Sequence, residues 1–481
     1  MSENIAKYIT TTLPYVNADP HVGFALELVQ ADTLARYWRR IGHEVLFTTG
    51  TDEHGQKIAQ KADAVGQDRQ AYVDHYADTF SRLQATLDLS YDHFIRTTAA
   101  AHTAAAQEIW RRCAAKGDIY KQSYEGHYCV GCELFYRESE LEDGLVCPIH
   151  NTPTEFIAEE NYFFKLSKYE QPLRELLADT GRTIPNWQRQ WALDFVAGGL
   201  DDLSISRQKS RMDWGIPVPD DDAHVMYVWF DALTNYISTL GWPADEKGLF
   251  QKFWVEGETL QLAGKDQVRF QSIIWQAMLM SADLPTTDQI FYHGFINSGG
   301  QKMSKSLGNV ISPYEMVARY GTDATRYLLL RHVHPTEDSD LTWEKMDEWY
   351  TANLVNGLGN LTARIMKMAE THLAGPIEKP TVVAFDQAFL DALDRYDFMA
   401  ACDVVWSKIG ELDERITETE PFKLVKTDKP AAQQIIAELV HDLYQIGHLL
   451  NPVLPQSSRY MQDAVLANQK PTNLFARLPE G

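Results

Sequence analysis

A chain of 481 residues has room for three or four domains, and its 44% hydrophobic residues suffice for a large packed core. The formal charge of −23, from 44 Lys+Arg against 67 Asp+Glu, excludes a general nucleic-acid coat, although a local basic face can still meet one structured RNA. No apolar run is long enough to cross a bilayer, and Met1-Ser2-Glu3-Asn4 lacks the basic and apolar regions of a secretory leader, so a soluble cytoplasmic protein with no membrane partner is expected.

Residues 7–13, rich in Thr and Ile, read as a buried strand. Asp19-Pro20 then reads as a helix start, with Asp as the cap and Pro in the first position. Phe24, Leu28, Ala31, Leu34, Trp38 and Ile41 recur in steps of three and four and mark one buried stripe. Gly42 ends the helix, and residues 44–49 read as the next strand. A strand–helix–strand unit of this kind predicts a parallel sheet, in which ligands sit beyond the carboxyl ends of the strands. His21, in the first turn of the helix, and Asp52, Glu53 and His54, just after the second strand, fall on that rim.

Residues 117–224 hold a cysteine cluster, many aromatics and irregular spacing, and read as an insertion. Strand-like patterns return at 225–229 and 259–262, and a glycine-containing loop follows at Ser298-Gly299-Gly300. From about Lys345 onward the pattern is helical nearly throughout.

Five cysteines, an odd number in a long chain without an export signal, favour metal binding over a disulfide framework. Cys129-Val130-Gly131-Cys132 is followed, after 14 residues, by Cys147-Pro148-Ile149-His150. Two short-spaced pairs can each grip one edge of a tetrahedral Zn²⁺, and four protein ligands leave no open position, so a structural site is expected. Cys113 and Cys402 stand in helix-like, partly apolar contexts and read as core.

Lys302-Met303-Ser304-Lys305-Ser306 follows the glycine loop. Two lysines three apart, beside serine hydroxyls, can gather round a polyphosphate, and their charge counts most as pyrophosphate leaves. A solvated Lys/Ser surface loop is the bland alternative. The string resembles the KMSKS signature of class I aminoacyl-tRNA synthetases, whose partner signature, HIGH, lies at the head of the first helix. Here that stretch is His21-Val22-Gly23-Phe24. His21 can donate to a phosphate at a helix start, where the dipole favours anions, and Gly23 lets a nucleotide approach the backbone. Phe24, which stands in place of the second histidine, supplies no donor.

The resemblance narrows to the methionyl enzymes and covers nearly the whole chain. It rests on Thr12-Leu13-Pro14-Tyr15-Val16-Asn17, Gly50-Thr51-Asp52-Glu53-His54-Gly55, Ser204-Ile205-Ser206-Arg207 and Trp214-Gly215-Ile216-Pro217-Val218-Pro219. Tyr227-Val228-Trp229-Phe230-Asp231-Ala232, Gly264-Lys265-Asp266 and His293-Gly294 are also similar to family motifs. The resemblance implies that Leu13, Tyr15, Trp229 and Tyr236 line a methionine pocket, where aromatic walls suit a polarizable thioether. It implies that Asp52 holds the substrate ammonium and that Arg207 organises the active site. Gln267 and Gln271 belong to the same pocket, where the family usually has an isoleucine-like residue and a histidine. Gly264, Asp266, His293 and Gly294, with His21, Gly23, Lys302 and Lys305, are the implied ATP-binding positions, and His21, Lys302 and Lys305 the catalytic ones.

Residues 353–364 resemble the first helix of the family's anticodon-binding bundle, which makes Asn360 and Arg364 base readers, since amide and guanidinium groups suit exposed base edges. Phe422, where the family usually has Trp, can stack on a splayed base. The expected fold is therefore α/β: a Rossmann-type parallel-sheet catalytic domain split by a zinc-binding connective insertion and followed by an all-α anticodon-binding bundle. Its halves are 1–116 and 225–300, with the insertion at 117–224, the KMSKS loop and stem-contact region at 301–345, and the bundle at 346–481. The implied activity joins L-methionine to tRNA(Met) with Mg²⁺·ATP. The competing readings are another class I synthetase for a small apolar amino acid and a non-catalytic tRNA-binding paralogue. The end at Gly481, soon after the bundle, leads to the expectation of a monomer.

Overall fold

The computed structural model describes residues 5–131, 134–149, 151–303, 308–379 and 385–479. They form two compact units, one of Met1–Asp19, Gly42–Arg82 and Tyr91–His293, the other of Pro20–Ile41, Leu83–Ser90 and Gly294–Gly481.

The first unit is built on a six-stranded parallel sheet. Its strands are β1 (Ala6–Thr10), β2 (Glu44–Thr51), β3 (His93–Arg96), β4 (Thr183–Ile184), β5 (Glu258–Gly264) and β6 (Gln289–His293), in the order β3-β2-β1-β5-β6-β4. β2 is buried from Val45 onward and β5 from Thr259 onward, the near-continuous burial that a parallel sheet covered on both faces requires. Tyr8 pairs with Leu46 on one side and Thr259 on the other, so the chain winds outward in both directions from β1. The switch point of the sheet therefore lies between β1 and β5, and the crevice outside their carboxyl ends is where such sheets hold ligands. The first strand ends at Thr10 rather than Leu13. Beyond it the chain still follows the rim of β2, with Asp52 N–H donating to Pro14 O at 3.0 Å and Val16 N–H to Asp52 O at 3.1 Å.

The stretch 117–224 contributes an antiparallel sheet in the order Leu134–Tyr136, Ile119–Cys129, Glu155–Phe164, Leu203–Ser204, and it also supplies β4. The strand expected at 225–229 instead ends at Met226, and α3 (Val228–Ala232) follows, then α4 (Asn235–Ser238). A short apolar run does not distinguish strand from helix, and here a polar anchor decides it: Asp231, inside the run, points into the core.

In the second unit α1 (Val22–Arg40) is capped by His21, not Asp19. His21 is extended (φ −114°, ψ 167°), and its Nδ1 accepts from Gly23 N–H at 3.1 Å, which meets one of the orphan donors of the first turn. Between Trp343 and Ala467 every regular element among the described residues is helical, with Phe398–Thr419 and Lys429–Leu450 the longest. Among the described residues no helix is long and apolar enough to cross a membrane.

One buried ion pair fixes this unit. Arg326 and Asp32 are both fully buried and 2.7 Å apart. Arg326 also donates to the carbonyls of Leu87 (3.1 Å), Pro452 (2.9 Å) and Val453 (2.9 Å), and Asp32 Oδ1 accepts from Ser90 N–H at 2.6 Å. Burial opposes the charge of Asp32, but the guanidiniums of Arg326 and Arg36 hold its carboxyl below the usual carboxylate range. Its contribution to stability is complete above the free-carboxylate value of about 4 and is lost as pH falls through the lower folded value. Arg326→Met takes one of two guanidiniums from the buried carboxylate and leaves three carbonyls without this donor. The expected cost is about 3–5 kcal/mol in chemical denaturation at pH 7, with the difference from wild type shrinking below about pH 4.

Candidate active site

The carboxyl ends of β1, β2, β5 and β6 bring the first unit's candidates to one rim. Asp52 is buried at the end of β2, its backbone bridged to Tyr15, while Leu13 and Tyr15 are partly buried in the segment after β1. Glu53 anchors this loop. Its carboxylate takes Arg96 Nε at 2.6 Å, Arg96 Nη2 at 3.0 Å, Thr51 Oγ1 at 2.6 Å and Thr98 Oγ1 at 2.5 Å. Trp214 Nε1 donates to Glu53 O at 2.6 Å.

A second cluster forms around α3 and α4. Trp229 stacks on Phe270, with ring centroids 3.8 Å apart at 16°. The neighbouring Gln271, buried, donates from Nε2 to the Tyr236 hydroxyl at 2.5 Å, and Tyr8 Oη donates to Tyr236 O at 2.8 Å. The structure thus brings Trp229, Tyr236 and Gln271 into one contiguous wall. Gln267, four residues earlier, turns to Asp266, its Nε2 donating to Oδ2 at 3.1 Å.

The loop and this wall are tied by residues that the sequence left without a role. His54 Nδ1 is 2.7 Å from Asp231 Oδ2, and His102 Nε2 is 2.7 Å from Asp231 Oδ1. Burial works against the charge of Asp231, but the two imidazoles beside it keep its carboxyl below the usual range. The signal available in the sequence was an acid inside the apolar run 227–233, but its partners are 177 and 129 residues away.

Gly264, at the end of β5, pairs with His293 at the end of β6, and a Cβ on Gly264 would stand 2.8 Å from Asp266 Oδ1. Arg207 is fully buried, its guanidinium 5.0 Å from the ring of Tyr128 and 4.9 Å from that of Tyr227, the residue before α3. It lines a cleft of about 700 Å³ together with Arg269 and Tyr136. Cys129 and Cys147 are fully buried, while Cys132 and His150 lie outside the described residues. Cys113 and Cys402 are core residues, as read from their context.

The second unit holds the remaining candidates. A Cβ on Gly23 would stand 3.0 Å from the His21 ring, so glycine here lets the imidazole fold back over the first turn. Gly299 and Gly300 have φ of 63° and 75°, the left-handed pair that closes a two-residue hairpin between Ile296–Ser298 and Gln301–Lys302. That hairpin presents Lys302, which is exposed, with its ammonium 5.1 Å from the Phe295 ring. Lys305 lies outside the described residues. Val22 N–H donates to Ile311 O at 2.9 Å, which joins the start of α1 to the chain just past the 302–306 string. In the helical part Asn360 is exposed, Arg364 pairs with Asp413, and Phe422 is 46% exposed with Lys423 Nζ 5.9 Å from its ring.

The family described as tRNA synthetases class I (M) matches residues 7–153 and 139–366. The chain belongs to the methionyl class I tRNA synthetases. Among curated relatives in this family, methionine–tRNA ligase of Thermotoga maritima is 38% identical over 97% of this chain and 76% of its own length. That of Brucella melitensis is 39% identical over 96% and 92%. Among solved structures, Mycobacterium tuberculosis methionyl-tRNA synthetase in complex with methionyl-adenylate superposes with a TM-score of 0.88, at 36% identity over 99% of both chains. Its apo form gives 0.84 at 33% identity. The parallel sheet and the helical C-terminal region are thus features shared with synthetases of this family.

Gly294 has a packing reason of its own, because a Cβ there would stand 2.2 Å from the backbone of Glu337. Gly294→Ala forces two backbones apart, and the expected result is a loss of about 1–3 kcal/mol, read as a lower melting temperature.

Proposed function

We propose that the chain is a methionine–tRNA ligase, which activates methionine with ATP and transfers it to the 3′-terminal adenosine of tRNA(Met). The observation that supports this reading most is the hydrogen bond from Val22 N–H to Ile311 O, which ties together, within one unit, the two segments bearing His21 and the 302–306 string. In the first step the methionine carboxylate attacks the α-phosphorus of ATP, which arrives with Mg²⁺. The bond to the β-phosphate oxygen breaks and pyrophosphate leaves. His21 Nδ1 accepts from Gly23 N–H, so the ring proton of a neutral imidazole sits on Nε2, the donor that a phosphate oxygen needs. Lys302 and Lys305 supply positive charge as it develops on pyrophosphate. Gly23, Gly264, Asp266, His293 and Gly294 complete the nucleotide set.

Asp52 takes the substrate ammonium, and Trp229, Tyr236, Gln271, Leu13, Tyr15 and Gln267 enclose the side chain. Arg207, packed against Tyr227, steadies the entry to α3. In the second step a ribose hydroxyl attacks the acyl carbon and AMP leaves, so no enzyme nucleophile is required. Asn360, Arg364 and Phe422 read the anticodon, Phe422 by stacking. Cys129, Cys132, Cys147 and His150 would hold a structural Zn²⁺, and the full burial of the two described thiols suits a closed site that braces the strand ending at Cys129.

Methionine-dependent ATP–pyrophosphate exchange tests the reading. Exchange is expected with methionine and with none of the other amino acids; exchange driven only by another amino acid, or by none, overturns it. Lys302→Ala is expected to lower kcat about 100-fold with an unchanged melting temperature, because the side chain is exposed. For the metal, elemental analysis is expected to return one zinc per chain, and Cys147→Ser to remove it and lower the melting temperature.

A further inference from the structure

Three segments that the proposed reading places around methionine are joined by one buried hydrogen-bonded chain. It runs from His54 Nδ1 to Asp231 Oδ2 (2.7 Å), from Asp231 Oδ1 to His102 Nε2 (2.7 Å), and from His102 Nδ1 to Ser238 Oγ (2.9 Å). Three of the pocket residues stand two positions before a member of this chain: Asp52 before His54, Trp229 before Asp231, Tyr236 before Ser238. His102 is the fixed point, fully buried on the long helix α2 (Ala100–Ala115). We infer that Asp231 is a positioning residue, which sets the distance between the ammonium-holding loop and the aromatic wall of the amino-acid pocket.

The chemistry of the chain explains why a carboxylate stands there. Each of the two Asp231 oxygens faces a different imidazole nitrogen, and a hydrogen bond to an ionised acceptor is stronger than a neutral one. An asparagine offers one oxygen and one NH₂, so one imidazole loses its acceptor and must turn or flip its tautomer. His54 also meets Trp214 edge-on, with ring centroids 5.8 Å apart, and Gly55 N–H donates to Trp214 O at 3.1 Å. A movement of His54 is therefore passed to the loop that carries Asp52. None of the members of this chain is placed among the nucleotide-binding residues.

The inference rests on the functional reading, and its test separates the two. In pyrophosphate exchange, KM for methionine is measured at saturating ATP and KM for ATP at saturating methionine, for wild type, Asp231→Asn and Ser238→Ala. Asp231→Asn is expected to raise the methionine KM about tenfold or more, with the ATP KM changed less than about twofold. Ser238→Ala, which removes a single hydroxyl at the far end, is expected to raise the methionine KM about threefold with the same indifference to ATP. A general loss of structure would move both constants or the fraction of active enzyme. Wild-type exchange together with an unchanged methionine KM in both variants, or with both constants moving by the same factor, overturns the inference alone. Wild type inactive with methionine overturns the functional reading and the inference with it. If Asp231→Asn does not fold, Ser238→Ala decides on the same criteria.

Discussion

A carboxylate removed from water must be met by donors, and that constraint governs both units of this chain. In the first unit Glu53 is met by Arg96 and two threonine hydroxyls, and Asp231 by two histidines. In the second unit Asp32 is met by Arg326, Arg36 and Ser90. Each of these acids gathers partners from distant parts of the sequence, so each fixes several elements at once. The costs are steep when a partner is removed, and the arrangement is accordingly specific: the elements it fixes carry the candidate site residues.

The parallel sheet was legible because residues 7–49 read as a strand, a one-stripe helix and a second strand, a unit that requires parallel pairing, and the helical C-terminal region was legible from its periodicity. The positions of Trp229 and Tyr236 on short helices were not, because a run such as 225–233 is apolar in either conformation. Asp19-Pro20 satisfies the composition rules for a helix start, but the imidazole of His21 reaches Gly23 N–H and takes the cap instead. The partners of Asp231 could not be found from spacing at all, since His54 and His102 meet it only through the winding of the sheet and the return of α2. A five-residue string such as 302–306 is the opposite case, in which the residues are adjacent and the signature is complete without any fold.

The acidic balance of the chain is compatible with an RNA partner that is read rather than coated. In the proposed reading, the RNA-facing residues are an amide, a guanidinium held by Asp413, and an exposed phenyl ring. These groups recognise base edges and base faces, and their contribution does not depend on a high density of positive charge. The same reading assigns the positive charge of the site to Lys302 and Lys305, whose role there is to meet pyrophosphate, and the helix dipole at the start of α1 has the same sign.

The most direct measurement is the charging of a purified tRNA(Met) transcript with radiolabelled methionine and ATP, alongside a transcript with an altered anticodon. A methionine–tRNA ligase yields methionyl-tRNA on the first and little on the second. Stable charging with a different amino acid, or binding of the transcript with no charging at all, contradicts that activity.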